Sequence, residues 1–152
     1  MAFIYEMLYR SDNLANVQFE DYVSHLVDHL FRSYGARQTR VECVIDVQPV
    51  PLDIDTIIPL GLIINELVSN SFKHAFPDDR EGHITVEVSS LDDKGNLAVS
   101  DDGIGLPADF DLKNPPTLGM QLVMALVDQL HGAIKVDRTI GTRIEISFSL
   151  QA

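Results

Sequence analysis

Apolar residues set two periods along this chain, and each period marks a different kind of element. Ile4, Met7 and Leu8 recur at helical spacing and predict a short helix over about Phe3 to Tyr9, which Ser11-Asp12-Asn13 breaks. Tyr22, Val23, Leu26, Val27, Leu30 and Phe31 form the stripe of a second helix from about Phe19 to Tyr34, with Gly35 as its stop. The period then falls to two. Val41, Cys43, Ile45 and Val47 alternate with mostly polar residues, the mark of a strand with one buried face, and Pro49 and Pro51 end it. A third helix opens at a cap on Asp55 or Thr56, carries Pro59 in its first turn, and runs to about Phe76 before Pro77. Ile84, Val86 and Val88 predict a strand, Asp92 to Asn96 a hairpin turn, and Leu97 to Val99 the returning strand. Asp101 to Pro116 is rich in Gly, Pro and Asp and reads as a loop. Leu122, Val123, Leu126, Val127 and Leu130 form the buried stripe of a helix from about Gly119 to Leu130, ended by His131-Gly132. Ala133 to Val136 and Arg143 to Leu150 are two last strands, joined through a turn at Gly141. Helices and antiparallel pairs segregate along the chain. The expected fold class is therefore α+β: a two-layer sandwich, with a mixed, mostly antiparallel sheet covered on one face by helices.

Composition narrows the picture. The 152 residues suffice for one domain with a proper core, and a hydrophobic content of 45% argues against disorder. The longest apolar run, Ile57 to Ile64, is far too short to span a bilayer, and no basic-then-apolar signal peptide opens the chain. The expected location is cytoplasmic, with no membrane contact by this domain itself even if a full-length protein is membrane-anchored. A formal net charge of −12 argues against nonspecific binding to nucleic acid or an anionic membrane. The same charge means that an anionic ligand needs a local site. Cys43 is the single cysteine; it excludes an internal disulfide and reads as core packing. There is no HExxH or CxxC pattern, which argues against a zinc site. His25 and His29 stand four apart, a ligand spacing, but read as flanking the core stripe on a solvated face.

Three segments carry candidate chemistry. Along Pro59 to Phe76, Leu60, Ile63, Ile64, Leu67, Ser71 and Ala75 gather into one stripe at about 100° per residue, which must face the sheet. Glu66, Asn70 and Lys73 fall in a second stripe beside it and point toward a shared spot at the rim of the core. A carboxylate, an amide oxygen and an ammonium are the groups that hold a hydrated Mg²⁺ and its phosphates. Taken alone, the triple reads more readily as an exposed Glu–Lys helix face. The second segment, Val99 to Pro107, places Asp101, Gly103 and Gly105 in an Asp-x-Gly-x-Gly spacing directly after a strand. Glycines let backbone approach a flat ligand, and a carboxylate at a strand end accepts a hydrogen bond from an exocyclic amine such as that of adenine. Asp101 is preferred to Asp102 because it begins that spacing; a tight acidic turn is the bland alternative. The third segment, Thr117 to Leu122, opens a helix at Gly119. Its free amides and dipole suit phosphate, and a simple capping turn explains it equally well.

The three segments occur together and in one order. That combination resembles the ATPase superfamily of DNA gyrase B, heat-shock chaperones, mismatch-repair proteins and histidine kinases. Within it, residues 65–76, Asn-Glu-Leu-Val-Ser-Asn-Ser-Phe-Lys-His-Ala-Phe, look most like sensor histidine kinases of the subfamily with a variant phosphoacceptor domain. Thr-Leu-Gly-Met-Gln-Leu-Val (117–123), Gly-Thr-Arg-Ile-Glu-Ile-Ser-Phe (141–148) and the opening Ile-Tyr-Glu-Met-Leu-Tyr (4–9) agree, the last resembling the end of a phosphoacceptor helix. The resemblance implies a division into residues 1–18, a remnant of that helix with its linker, and 19–152, the ATP-binding catalytic domain. It implies ATP and Mg²⁺ as cofactors. Asn70 would ligate Mg²⁺ with Glu66 assisting at the phosphate end, and these two are the candidate catalytic residues. Lys73 and His74 would contact phosphates. Asp101 would read the adenine amino group, with Gly103 and Gly105 shaping its pocket. Leu118, Gly119 and Met120 would hold phosphate, and Thr142 would support Asp101 through water.

The implied chemistry is transfer of the γ-phosphoryl group to a histidine of a phosphoacceptor domain, on the same or another protein, with a response regulator downstream. Three departures bear on the resemblance, one of them a short lid without an obvious aromatic anchor, which implies a modest nucleotide affinity. The His-Arg-x-x-Asn-type motif of the acceptor helix is missing, and His25 and His29 lie in the wrong surroundings to replace it, so the chain reads as a fragment or as a domain with a separate substrate. The second glycine box keeps only Gly119, with Thr117 at an earlier place. Two other readings use the same pocket: a protein serine kinase of the anti-sigma-factor type, and a non-catalytic binding module.

Overall fold

The computed structural model describes residues 16–34, 41–50, 52–76, 80–105 and 117–150. The expected helix over Phe3 to Tyr9, the stops at Gly35, Pro51 and Pro77, and the loop from Leu106 to Pro116 lie outside them. In chain order the elements are α1 (Asn16–Tyr34), β1 (Val41–Val47), α2 (Ile54–His74), β2 (Gly82–Leu91), β3 (Lys94–Asp101), α3 (Leu118–Gln129), β4 (Ala133–Asp137) and β5 (Thr142–Ser149). Among the described residues the fold is α+β: one five-stranded mixed sheet and three helices.

The strands lie in the order β1-β2-β3-β5-β4. β1 and β2 are parallel, since α2 crosses between them, and every other pair is antiparallel. One sheet face is apolar: Ile84, Val86, Val88, Leu97, Val99, Ile144, Ile146 and Phe148 are buried beneath the helices. The alternate positions form a polar open face, as the two-residue period of a strand requires. There Arg143 bridges strands, its guanidinium bonding Glu87 at 3.0 Å and Glu145 at 2.8 Å. α1 and α3 pack on either flank of α2. Phe72 of α2 lies between Phe31 and Tyr34 of α1, with ring centroids at 6.1 and 6.3 Å.

Several boundaries differ from the sequence expectation. α2 is capped by Asp53 rather than by Asp55 or Thr56; the Thr56 amide donates to Oδ1 of Asp53 at 3.0 Å. The earlier start puts Pro59 in the second turn, inside the helix, where its missing N–H removes the helical donor of the Asp55 carbonyl. The helix ends at His74 with Ala75 as its cap, not at Phe76. The β2–β3 turn is only Asp92-Asp93, and Asp92 takes a left-handed φ of 56°. Lys94, Gly95 and Asn96 therefore pair within the ladder, and β3 extends to Asp101, the residue assigned to a loop. Leu122 is 41% exposed rather than in the buried stripe of α3. It lies two residues after Met120 and one before Val123, both buried, so the apolar stripe passes it by. Cys43 packs half-buried against the core, and burial pushes its thiol pKa up to about 11. No described helix is long and apolar enough to cross a membrane.

Candidate functional site

Asp101 is the last residue of β3 and pairs with Thr142 at the start of β5. By strand alternation its side chain points to the helix side, and it is only 9% exposed. Ser71 Oγ donates to its Oδ2 at 2.9 Å, and the Gly103 amide donates to Oδ1 at 3.1 Å. Burial pushes the carboxyl pKa up. The bonds from Ser71 and Gly103 oppose that rise, the neighbouring Asp102 charge adds to it, and a backbone bond from Thr142 opposes it. A carboxylate held by donors on one side keeps its remaining lone pairs as acceptors. The next residue, Asp102, turns to the exposed side.

The glycine segment lies close against the end of α2. The Ile104 amide donates to the Ala75 carbonyl at 2.9 Å, and a Cβ on Gly103 would run into that carbonyl. Only a residue without Cβ allows this approach. Gly105 takes a left-handed φ of +82°.

At the other end of the site, Glu66 of α2 meets the start of α3. A Cβ on Gly119 would lie 2.6 Å from Glu66 Oε2, so the glycine makes room for the carboxylate. Thr117 caps α3, its Oγ1 accepting from the Met120 amide at 3.2 Å. The amides of Leu118 and Gly119, which precede Met120 in the same turn, have no acceptor within the helix. Leu118 itself is 81% exposed and Met120 buried. Asn70 stands half-buried one turn after Glu66.

Lys73, expected beside Glu66 and Asn70, is turned toward α1. Lys73 is exposed, and its Nζ lies 5.5 Å over the centre of the Tyr34 ring. The cause is local: α1 ends at Tyr34 beside the last turn of α2, and an aromatic face attracts an ammonium. His74, also exposed, ends α2, where a basic side chain suits the helix dipole. His25 and His29 lie exposed on α1.

Two contributions escaped the sequence reading. Ser71 was assigned to the sheet-facing stripe, and its polarity there was the available signal: a hydroxyl on an apolar face must find a partner. His83 gave no signal, because the carboxylates around it come from β1 and from the residue after β3.

Comparison with known proteins adds to this geometry. Residues 55–152 match the family model described as histidine kinase-, DNA gyrase B-, and HSP90-like ATPase. Residues 1–34 match a second model, described as histidine kinase. The chain is 39% identical over 85 residues to the sensor histidine kinase PdtaS of Mycobacterium tuberculosis, covering 55% of this chain and 17% of that protein. It is 29% identical over 131 residues to blue-light-activated histidine kinase 2 of Erythrobacter litoralis, covering 85% of this chain and 37% of the relative. The histidine kinase domain of the Erythrobacter litoralis EL346 blue-light activated kinase superposes with a TM-score of 0.80 at 26% identity, covering 87% of this chain and 65% of that one. The chain thus spans well under half the length of these two curated relatives.

Proposed function

From the premise that the chain belongs to the histidine kinase-, DNA gyrase B- and HSP90-like ATPase family, we propose that it binds Mg-ATP and delivers the γ-phosphoryl group to a histidine of a phosphoacceptor domain. A response regulator would then receive the group from that histidine. The observation that carries this reading is that two chemically different ends meet on one helix. Ser71 of α2 holds the buried Asp101, and Glu66, five residues earlier on the same helix, abuts the amide-rich start of α3.

At the Asp101 end, a buried acceptor flanked by glycines suits the amino group of adenine. At the Glu66 end, the Leu118 and Gly119 amides suit phosphate oxygens. A carboxylate beside a phosphate site repels the phosphate unless a cation lies between them. Glu66 and Asn70 supply the hard oxygen donors that Mg²⁺ takes, so the donor set fits that ion. When bound, Mg²⁺ neutralises charge on the phosphate oxygens. The remaining work for this chain is positioning: Asp101 fixes the base, and the start of α3 fixes the phosphate chain. The match of residues 1–34 to a histidine kinase model supports a histidine rather than a serine acceptor.

The test supplies labelled ATP and a phosphoacceptor domain in trans. The expected product is labile to acid and stable to alkali, as phosphohistidine is; an acid-stable product would assign the serine kinase reading instead. Asn70→Ala is expected to weaken Mg²⁺-dependent ATP binding by at least the roughly tenfold that loss of an outer-sphere metal partner brings. Unchanged binding would remove Asn70 from the metal end.

A further inference from the structure

Asp101 is held from the helix side by Ser71, but the chain that carries it is also tied from the opposite face. His83 of β2 sits there between two carboxylates. Its Nδ1 lies 3.0 Å from Asp102 Oδ2, and its Nε2 lies 3.3 Å from Glu42 Oε2. Glu42 is its register partner on β1. The two backbones are joined as well: the His83 amide donates to Asp102 Oδ1 at 2.6 Å, and the Asp102 amide donates to the His83 carbonyl at 3.3 Å. Asp102 is therefore bonded to His83 through both its backbone and its side chain. It lies directly between Asp101 and Gly103, the two residues that shape the buried end of the site.

We propose that His83, braced between Glu42 and Asp102, is a positioning residue for adenine recognition, fixing the turn from which Asp101 presents its carboxylate. This rests on the nucleotide reading above and extends it to the uncovered face of the sheet. His83 lies on the sheet face opposite the Asp101 side chain and acts through Asp102.

The brace depends on a proton. With both ring nitrogens protonated, the imidazolium donates to two carboxylates at once; neutral, it keeps one N–H and loses its charge. The groups facing it are Asp102 from the end of β3 and Glu42 from β1. Arg80 and Glu81 precede it by three and two residues in the chain, and Asp137 of β4 and Arg143 of β5 stand across an open recess of about 450 Å³. Arg143 is engaged by Glu87 and Glu145. The bond and charge of Asp102 raise the His83 pKa above the usual histidine value; burial opposes them, and the charge and bond of Glu42 add to the rise. On Asp102, burial pushes the pKa up, but the amide, ring and charge of His83 outweigh it, and the carboxyl sits below its ordinary range. Since the folded-state pKa of His83 is raised, the brace is complete at pH below the ordinary histidine value. It loosens as pH rises through the raised value.

The experiment measures ATP affinity from pH 5.5 to 9 for the 152-residue chain and for His83→Gln, which cannot titrate. Adenosine serves as a second probe without phosphate. The quantity read is the ratio of the two dissociation constants, in which titration of the ATP phosphate cancels. The expected ratio is about two- to fivefold at pH 6, as for an exposed ion pair, and falls toward one by pH 9. Glu42→Gln should give a smaller ratio with the same trend, and the trend should persist with adenosine. A ratio of one at every pH, while wild type binds ATP, overturns the positioning role alone, and a constant ratio above one overturns its dependence on the proton. Failure of the wild-type chain to bind ATP at every pH overturns the nucleotide reading, and this inference with it.

Discussion

Asp101 owes its surroundings to one hydroxyl on an otherwise apolar helix face. Ser71 stands where the stripe of α2 requires a residue that fits against the sheet, and it brings a donor to a carboxylate that burial disfavours. Ser71→Ala should therefore cost about 1.5–3 kcal/mol of stability at neutral pH, where the bond is to a charged group. The loss should be smaller at acid pH, once Asp101 takes up its proton. Because Ser71 lowers a pKa that burial raises, its removal should also move the acid fall-off of adenosine binding to higher pH. Urea denaturation and calorimetric titration across pH 4–8 measure both effects, and equal losses at pH 4 and pH 7 would contradict the charge-assisted bond. The candidate residues were legible one at a time only in part. Asp101, Gly103 and Gly105 stand close in the chain, so spacing was enough to group them. Glu66 and Gly119 lie more than fifty positions apart in sequence, and only the packing of α2 against α3 places carboxylate beside glycine.

Among the elements, helices and strands followed their apolar periods, while their ends followed polar residues that periodicity does not weigh. Asp53 caps α2 two residues before the cap the sequence suggested, and that shift moved Pro59 from a tolerated position into the helix interior. Asp53→Ala should destabilise the fold by about 1 kcal/mol, with a lower urea midpoint and an unchanged slope. An effect within error would mean that the Thr56 amide finds another acceptor. The hairpin shows the same lesson. Five polar or glycine residues suggested a long turn, but Asp92 accepts a left-handed backbone, and two residues suffice to reverse the chain. The strand gained in this way is what carries β3 as far as Asp101.

For the molecule as a whole, a net charge of −12 opposes the approach of any nucleotide. The local amides at α3 act only at short range, so the wider field should govern encounter. The association rate for Mg-ATP is then expected to rise between low and physiological ionic strength, by less than the roughly tenfold typical of focused clefts. A rate that falls with salt would instead reveal a cationic patch strong enough to override the field. The strand order has a further consequence. With β1 and β2 on one side and β5 and β4 on the other, β3 is the middle strand of five. Its amides between Val99 and Asp101 should exchange with solvent deuterium only when the whole domain unfolds, while those of β4 exchange through local opening. Base recognition would then rest on backbone already immobile before the ligand arrives, and capturing the base would order almost nothing in this part of the chain.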